Sequence, residues 1–485
     1  MQPMPEPKRH KVVLYNPTAV FFTMPLALVT IGSHLDPERY EVVIIDGRLE
    51  KDPLAALAPH LDGALCFGVT VLTGAPIQDA VTVTRKVAAR HPDLPVVWGG
   101  WHPSMFGKEC LDEPAVHITV QGQGEVTFAE LCDHLAEGHR VQHQGIEGIE
   151  GIPGLTYRDP TGQILVNPPR PFNDMNDFAR HNYELIEVPR YYGLKGKKQL
   201  DYISSEGCPY RCAFCADPFV YQRKWAGLDP DRMADEIEGL WQRYRFDDIN
   251  FQDETFFTYP KRVEAFADQL IARQIPTTWA ATMRADQGTR MDDDLFAKLK
   301  RSGLRRVLIG VESGSQEMMD RIKKDIKLEQ VFTSAERCAR HGVAVNFPFI
   351  VGFPEEPEES LQATLDVVKR LRSMSPDFET PIFYFRPYPG SAITQDAVAQ
   401  GHQLPCTLDE WSDFDFVDSK GPWVSPDKFR KVERFKYYQR IAYQRPNGWT
   451  RPLQKLARWR CDRDNYALPV EKVVSDWLFP REALS

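Results

Sequence analysis

The 485-residue chain has no long apolar run. Its longest, residues 19–31, is broken by Thr23 and Pro25 and falls short of the ~20 residues that span a bilayer, which excludes a transmembrane segment. The run follows a strand-like stretch and carries no small-residue cleavage site, so a secretory leader is not expected. Paired cysteine spacing is also missing. Nine cysteines make an odd number, and six of them (Cys66, Cys110, Cys132, Cys338, Cys406 and Cys461) stand far apart, which argues against a secreted disulfide framework. These absences predict a cytoplasmic protein. Compositional bias is missing too: 42% hydrophobic and 26% charged residues exclude the disordered and fibrous classes. At this length two or three domains are expected, each able to bury a core.

What is present first is alternation. Within residues 1–144 short apolar runs such as "KVVLYNP", "YEVVIIDG", "GALCFGVTVLTG" and "PVVWGGWHPS" alternate with amphipathic segments. This predicts an α/β unit with a doubly wound parallel sheet, whose ligands bind at the carboxyl ends of its strands. Residues 145–198, rich in Pro and Gly, read as a linker. Alternation resumes over 199–407 with six strand-like runs, which predicts a partial β/α barrel. Residues 408–485 have few strand signals and are expected to be mainly helical. Residues 425–485 hold 14 Lys+Arg against 7 Asp+Glu, a local net of +7 in a chain of net −9. Phe429, Phe435, Tyr437, Tyr438, Tyr443, Trp449, Trp459, Tyr466, Trp477 and Phe479 interleave with these cations. Such a surface suits an acidic partner or an anionic substrate, a solvated helical face being the plainer reading. Nothing in it reads as a nucleic-acid module, and no nucleic-acid partner is expected.

The densest chemical signal is "SSEGCPYRCAFCADP", with Cys208, Cys212 and Cys215 spaced C-x3-C-x2-C just after the first strand of the second unit. A structural zinc ion takes four protein ligands, usually as two separated pairs, and there is no second C-x2-C here nor a histidine pair at ligand spacing downstream. A four-iron cubane held by three cysteines leaves one iron open for a substrate or cofactor.

This stretch resembles the signature of the radical S-adenosylmethionine (SAM) enzymes, in which an aromatic, here Phe214, precedes the third cysteine. The resemblance implies a 4Fe-4S cluster on the three cysteines, an open iron that chelates the amino and carboxylate groups of SAM, and reductive cleavage to a 5′-deoxyadenosyl radical. It also implies positions for the rest of the cofactor. Asp253 and Glu254 in "NFQDETF" are candidates for the methionyl ammonium, and Arg284 in "TTWAATMRAD" for the carboxylate. Glu312 and Ser313 in "GVESGS" suit the ribose or the methionine end, and Gly352 in "FIVGFPEE" the approach to adenine. The structural alternatives are a helix cap for Asp253, a surface ion pair for Arg284 and a turn for Gly352. An electron donor such as flavodoxin or ferredoxin is implied as a partner.

The first unit resembles the cobalamin-binding domain that fronts one subgroup of these enzymes, through "FGVTVLTG", "VWGGWHPS" and "VQGQGEVTF". Thr70, Thr73, Gly99, Gly100, His102, Gly122 and Gly124 are the implied cobalamin-binding residues. One departure stands out: the loop after the first strand, "YNPTAVFFTMP", lacks the histidine that ligates cobalt from below in domains of the methionine-synthase type. Cobalamin is therefore expected without a histidine lower ligand. The resemblance implies methylation of an unactivated carbon or phosphorus of a small-molecule substrate. The alternatives are an anaerobic ring-forming cyclase of the magnesium-protoporphyrin ester type, or a non-catalytic cobalamin or metal sensor.

Overall fold

The computed structural model describes residues 9–20, 22–139, 141, 145–414, 421–445, 451–466 and 469–472. Its first sheet has seven strands: β1 (His10–Asn16), β2 (Tyr40–Asp46), β3 (Cys66–Thr70), β4 (Val96–Gly99), β5 (Ile118–Val120), β6 (Leu155–Arg158) and β7 (Ile164–Val166), in the order β2-β1-β3-β4-β5-β6-β7. β1 to β5 are parallel, and β6 and β7 add antiparallel strands at one edge. Val12, Val13, Leu14 and Tyr15 of β1 are all buried, because helices cover both faces of a parallel sheet and leave no polar side. The helix Pro76–Arg90 shows the matching pattern. Its proline sits where no amide donor is needed, and Ile77, Ala80, Val81, Thr84 and Val87 form the buried stripe.

β6 and β7 correct one expectation, since they lie inside 145–198, where a linker is predicted. Their signal is weak because each has only three or four residues and the flanking Pro and Gly dominate.

The second sheet is open and parallel, in the order β16-β14-β13-β12-β11-β8. It is formed by β8 (Gln199–Tyr202), β11 (Asp248–Phe251), β12 (Thr278–Met283), β13 (Leu304–Ile309), β14 (Ala344–Asn346) and β16 (Phe378–Glu379). Two small pairs extend it: β9 (Ser205–Gly207) with antiparallel β10 (Trp225–Gly227), and β15 (Phe349–Val351) with parallel β17 (Ile382–Tyr384). Six strands that do not close make the partial barrel expected.

The two sheets are fixed to each other. Met24, Leu26 and Val29 join the barrel core. The Met24 amide donates to Asp201 at 2.8 Å, and the Tyr191 hydroxyl donates to Asp46 at 2.7 Å.

The C-terminal region is helical, at Leu408–Ser412, Pro426–Ala442 and Arg451–Asp462. Among the described residues most of its aromatic side chains turn inward. Phe435, Tyr437, Tyr438, Tyr443 and Tyr466 are buried in the barrel core, and Lys428, Lys431 and Arg445 pair with Glu356, Glu358 and Asp377. Trp459 stays exposed, and Trp449, Trp477 and Phe479 lie outside the described residues. Periodicity could not foresee this, because the helix Pro426–Ala442 carries cations all round and packs by its aromatic residues.

Candidate active site

The cysteines stand on a loop held open by a hairpin. β9 and β10 pair on either side of residues 208–224, and Gly207 turns the chain with φ +80°, where an added Cβ would overlap the carbonyl oxygen of Lys224. Asp253, just past β11, accepts from the Ser204 amide at 2.8 Å and from the Ser204 and Ser205 hydroxyls at 2.6 Å. Arg262 donates to the Ser204 carbonyl at 2.8 Å from the other side. The far end of the loop is tied by the Ala213 amide to the Ile322 carbonyl at 2.8 Å.

Cys208, Cys212 and Cys215 are half-buried. Burial pushes the Cys208 thiol up to about 12 and holds Cys215 well above the usual thiol range, so metal binding must displace their protons. A single zinc ion with bonds of ~2.3 Å would draw its sulfurs to within roughly 4 Å of one another. Among the described residues the one set of three ligand atoms within 4.8 Å is His134, Glu137 and His139, so the three thiols sit wider than that. Wider spacing suits a cluster rather than one ion.

Among the cavities beside this loop, two adjoin at Trp101. The smaller, about 300 Å³, lies at the carboxyl ends of the first sheet, where Thr70, Gly99, Gly100, Gly122 and Gly124 line it. Glu125, Glu206, Tyr221 and Glu254 line it as well. Burial pushes Glu206 up to about 8 and holds Glu254 well above the usual carboxylate range, with the Asp217 charge adding to it. Glu125 Oε2 and Glu254 Oε2 are buried with no partner among the described residues. Buried carboxyl oxygens of this kind call for hydrogen-bond partners from a bound group, and the amide arms at the rim of a corrin ring carry both N–H donors and carbonyl acceptors. The residues fit cobalamin. The larger cavity, about 470 Å³, is lined by Phe214, Cys215 and Glu312 from the barrel side, and by Leu72, Thr73 and Trp101 from the first sheet. Trp101 lines both cavities.

Residues 202–368 match the family model of the radical SAM superfamily, and residues 13–132 match that of the B12-binding domain. The chain is a radical SAM enzyme fronted by a B12-binding domain. This radical SAM enzyme is 28% identical to an uncharacterized methyltransferase of Pyrococcus horikoshii, over 81% of its own length and 82% of the relative's. It is 26% identical to the anaerobic magnesium-protoporphyrin IX monomethyl ester cyclase of Rubrivivax gelatinosus, over 79% of its length and 65% of the cyclase's. Its fold is similar to the solved structure of a radical SAM methyltransferase from Kitasatospora setae with cobalamin and a 4Fe-4S cluster bound. That match has a TM-score of 0.69 at 18% identity, covering 87% of this chain and 86% of the other.

The expected SAM residues of the enzyme divide. Phe214 and Glu312 line the cavity that Cys215 lines. Glu312 holds a left-handed backbone at φ +68° and accepts from Lys324 at 2.7 Å, which fixes its carboxylate at the strand end. The others are placed differently. Asp253 is occupied by the serines that brace the cysteine loop, so it is neither a helix cap nor an open carboxylate. Glu254 faces the smaller cavity. The donors of Arg284 go to Asp286 at 3.0 Å, the Lys324 carbonyl at 2.6 Å and Cys212 Sγ at 3.6 Å. Ser313 is buried and accepts from the Ser315 amide at 3.1 Å. Gly352, φ +78°, has its open side covered by Val424.

On the cobalamin side, Thr73 lines the larger cavity instead of the smaller one. His102 lines neither. It is fully buried against Phe106 and Trp411, with Nδ1 3.2 Å from the Thr73 hydroxyl and Nε2 without a partner among the described residues. Sequence reasoning missed Trp101, Glu125, Glu206 and Tyr221. Glu206 is two residues before Cys208, and Trp101 follows the Gly-Gly pair at a strand end. Position next to a motif was the available signal.

Proposed function

We propose that this radical SAM enzyme is a cobalamin-dependent methyltransferase acting on an unactivated carbon or phosphorus of a small molecule. The observation that carries the reading is the shared wall at Trp101: the space beside the cysteine loop and the space beside the glycine-bearing strand ends adjoin, so one substrate can face both. When bound, the cluster and SAM supply a hydrogen-abstracting radical and cobalamin supplies a methyl group. Cys208, Cys212 and Cys215 hold the cluster, with Arg284 against the sulfur of Cys212. Phe214 and Glu312 border SAM, and Thr70, Gly99, Gly100, Gly122 and Gly124 form the pocket for the cobalamin tail. Among the described residues no histidine lines either cavity, which supports a cobalt without a histidine beneath it. An acidic one-electron carrier such as flavodoxin or ferredoxin reduces the cluster. Among the described residues no helix is long and apolar enough to cross a membrane, which agrees with a cytoplasmic setting. Within this reading the domains divide near residues 144, 198 and 407, with the first sheet running on to Val166.

The similarity to the magnesium-protoporphyrin ester cyclase favours a second reading, an oxidative ring closure on the same machinery. Protein purified without oxygen, reconstituted with iron, sulfide and cobalamin and supplied with SAM and dithionite should release 5′-deoxyadenosine. Candidate substrates should then gain the mass of one methylene. A product that instead loses hydrogen without gaining a methylene selects the cyclase, and absence of deoxyadenosine with the cluster intact sinks both.

A further inference from the structure

The larger cavity offers a ligand little to hydrogen-bond. Two charged side chains reach it, Glu312 and Arg386. Glu312 accepts from Lys324, and the guanidinium of Arg386 lies 4.7 Å over the ring of Phe414. Two of its hydroxyls are engaged in the same way: Thr73 faces His102, and Tyr384 donates to Glu433 at 3.1 Å. Carbon surface remains, from Trp101, Met105, Ile350 and Phe385. Where the cavity opens, Val20, Leu72 and Phe383 keep 56%, 41% and 40% of their surface in water. Exposed apolar side chains gathered round a cavity mark a binding entrance, because covering them releases unfavourable hydration.

Phe214, Cys215 and Glu312 line the cavity beside the cysteine loop, Val20, Leu72 and Phe383 line it with much of their surface exposed, and Trp101 lines both it and its smaller neighbour. A sugar, nucleotide or amino acid laid against Val20, Leu72 and Phe383 would lose its hydrogen bonds to water and find few replacements. A hydrocarbon body would lose nothing and cover the exposed rim.

Building on the methyltransferase reading, we propose that the substrate is a predominantly apolar molecule, with a long-chain or polycyclic hydrocarbon body. It enters between Val20, Leu72 and Phe383 and lies against Trp101, which turns its reacting atom toward both cavities.

The test is equilibrium dialysis of the cluster-, SAM- and cobalamin-loaded full chain against radiolabelled phytol, tryptophan and AMP. Phytol should be retained at least about a hundredfold more tightly than either polar probe. The L72D/F383D double variant should weaken phytol retention at least about tenfold, iron content and the cobalamin spectrum reporting that the site is still loaded. V398D, at an exposed valine that lines neither cavity, should leave retention unchanged. Tryptophan or AMP bound as tightly as phytol, wild-type phytol affinity in the double variant, or an equal loss in V398D would each overturn the proposal. Deoxyadenosine release is measured on the same preparation: its absence alongside selective phytol retention sinks the reading of the reaction and leaves the apolar cavity standing.

Discussion

Arg284 places Nη1 3.6 Å from the Sγ of Cys212 and stacks its guanidinium 3.7 Å from the ring centre of Tyr210. A fixed cation at one sulfur stabilises added negative charge on whatever that sulfur holds. Replacing Arg284 with Gln should therefore shift the reduction potential of the cluster downward by roughly 60–120 mV, the equivalent of a hydrogen bond to a charged group. Redox titration followed by electron paramagnetic resonance measures it. An unchanged potential would make Arg284 a packing residue.

Asp253 and Glu254 are neighbours in sequence with different work. Asp253 receives three hydrogen bonds that brace the cysteine loop, so Asp253→Ala should cost at least ~3 kcal/mol of stability and lower iron retention. Glu254→Gln should leave iron content intact and weaken cobalamin binding about threefold to tenfold, because its free oxygen faces the smaller cavity. Equal iron loss in both variants would contradict this division.

Burial pushes His102 down to about 4 from 6.5, so it stays neutral in the folded chain. Between these pH values the unfolded chain takes up a proton that the folded one refuses, and stability must fall as pH drops from about 6.5 to about 4, by ~3 kcal/mol at the lower end. His117, pushed to about 4 by burial, shares the window. His102→Phe should flatten part of this dependence in urea unfolding of the metal-free chain. It should also leave the paramagnetic resonance of the cob(II)alamin form unchanged. Loss of a nitrogen splitting in that variant would return His102 to the cobalt.

Deleting residues 447–485 removes the helix Arg451–Asp462, whose Ala457 and Cys461 are buried with Tyr466 in the barrel core. The deletion should lower stability by at least ~3 kcal/mol, at about 1.5–3 kcal/mol for each large apolar side chain uncovered. Dithionite should fail to restore deoxyadenosine formation. Full recovery with dithionite would mean that the region serves an electron donor after all.

The sequence by itself determined whatever is local. Cys208, Cys212 and Cys215 announce their chemistry because a loop ligand set lies within eight residues; β1 announces itself as a continuous apolar run, and the helix Pro76–Arg90 by the period that burial writes into its side chains. The glycines and Thr70 of the smaller cavity were legible for a similar reason, since strand ends with small residues mark where a parallel sheet binds ligands. Only the tertiary structure decided what each polar group faces. Asp253 and Glu254 look alike in the chain, yet one is closed by Ser204 and Ser205 and the other opens into a cavity. His102 disappears behind Trp411, which lies more than three hundred residues away in sequence. Phe435, Tyr437, Tyr438, Tyr443 and Tyr466 of the C-terminal region turn inward because the barrel offers apolar surface there, and no local spacing records a surface supplied by a distant part of the chain.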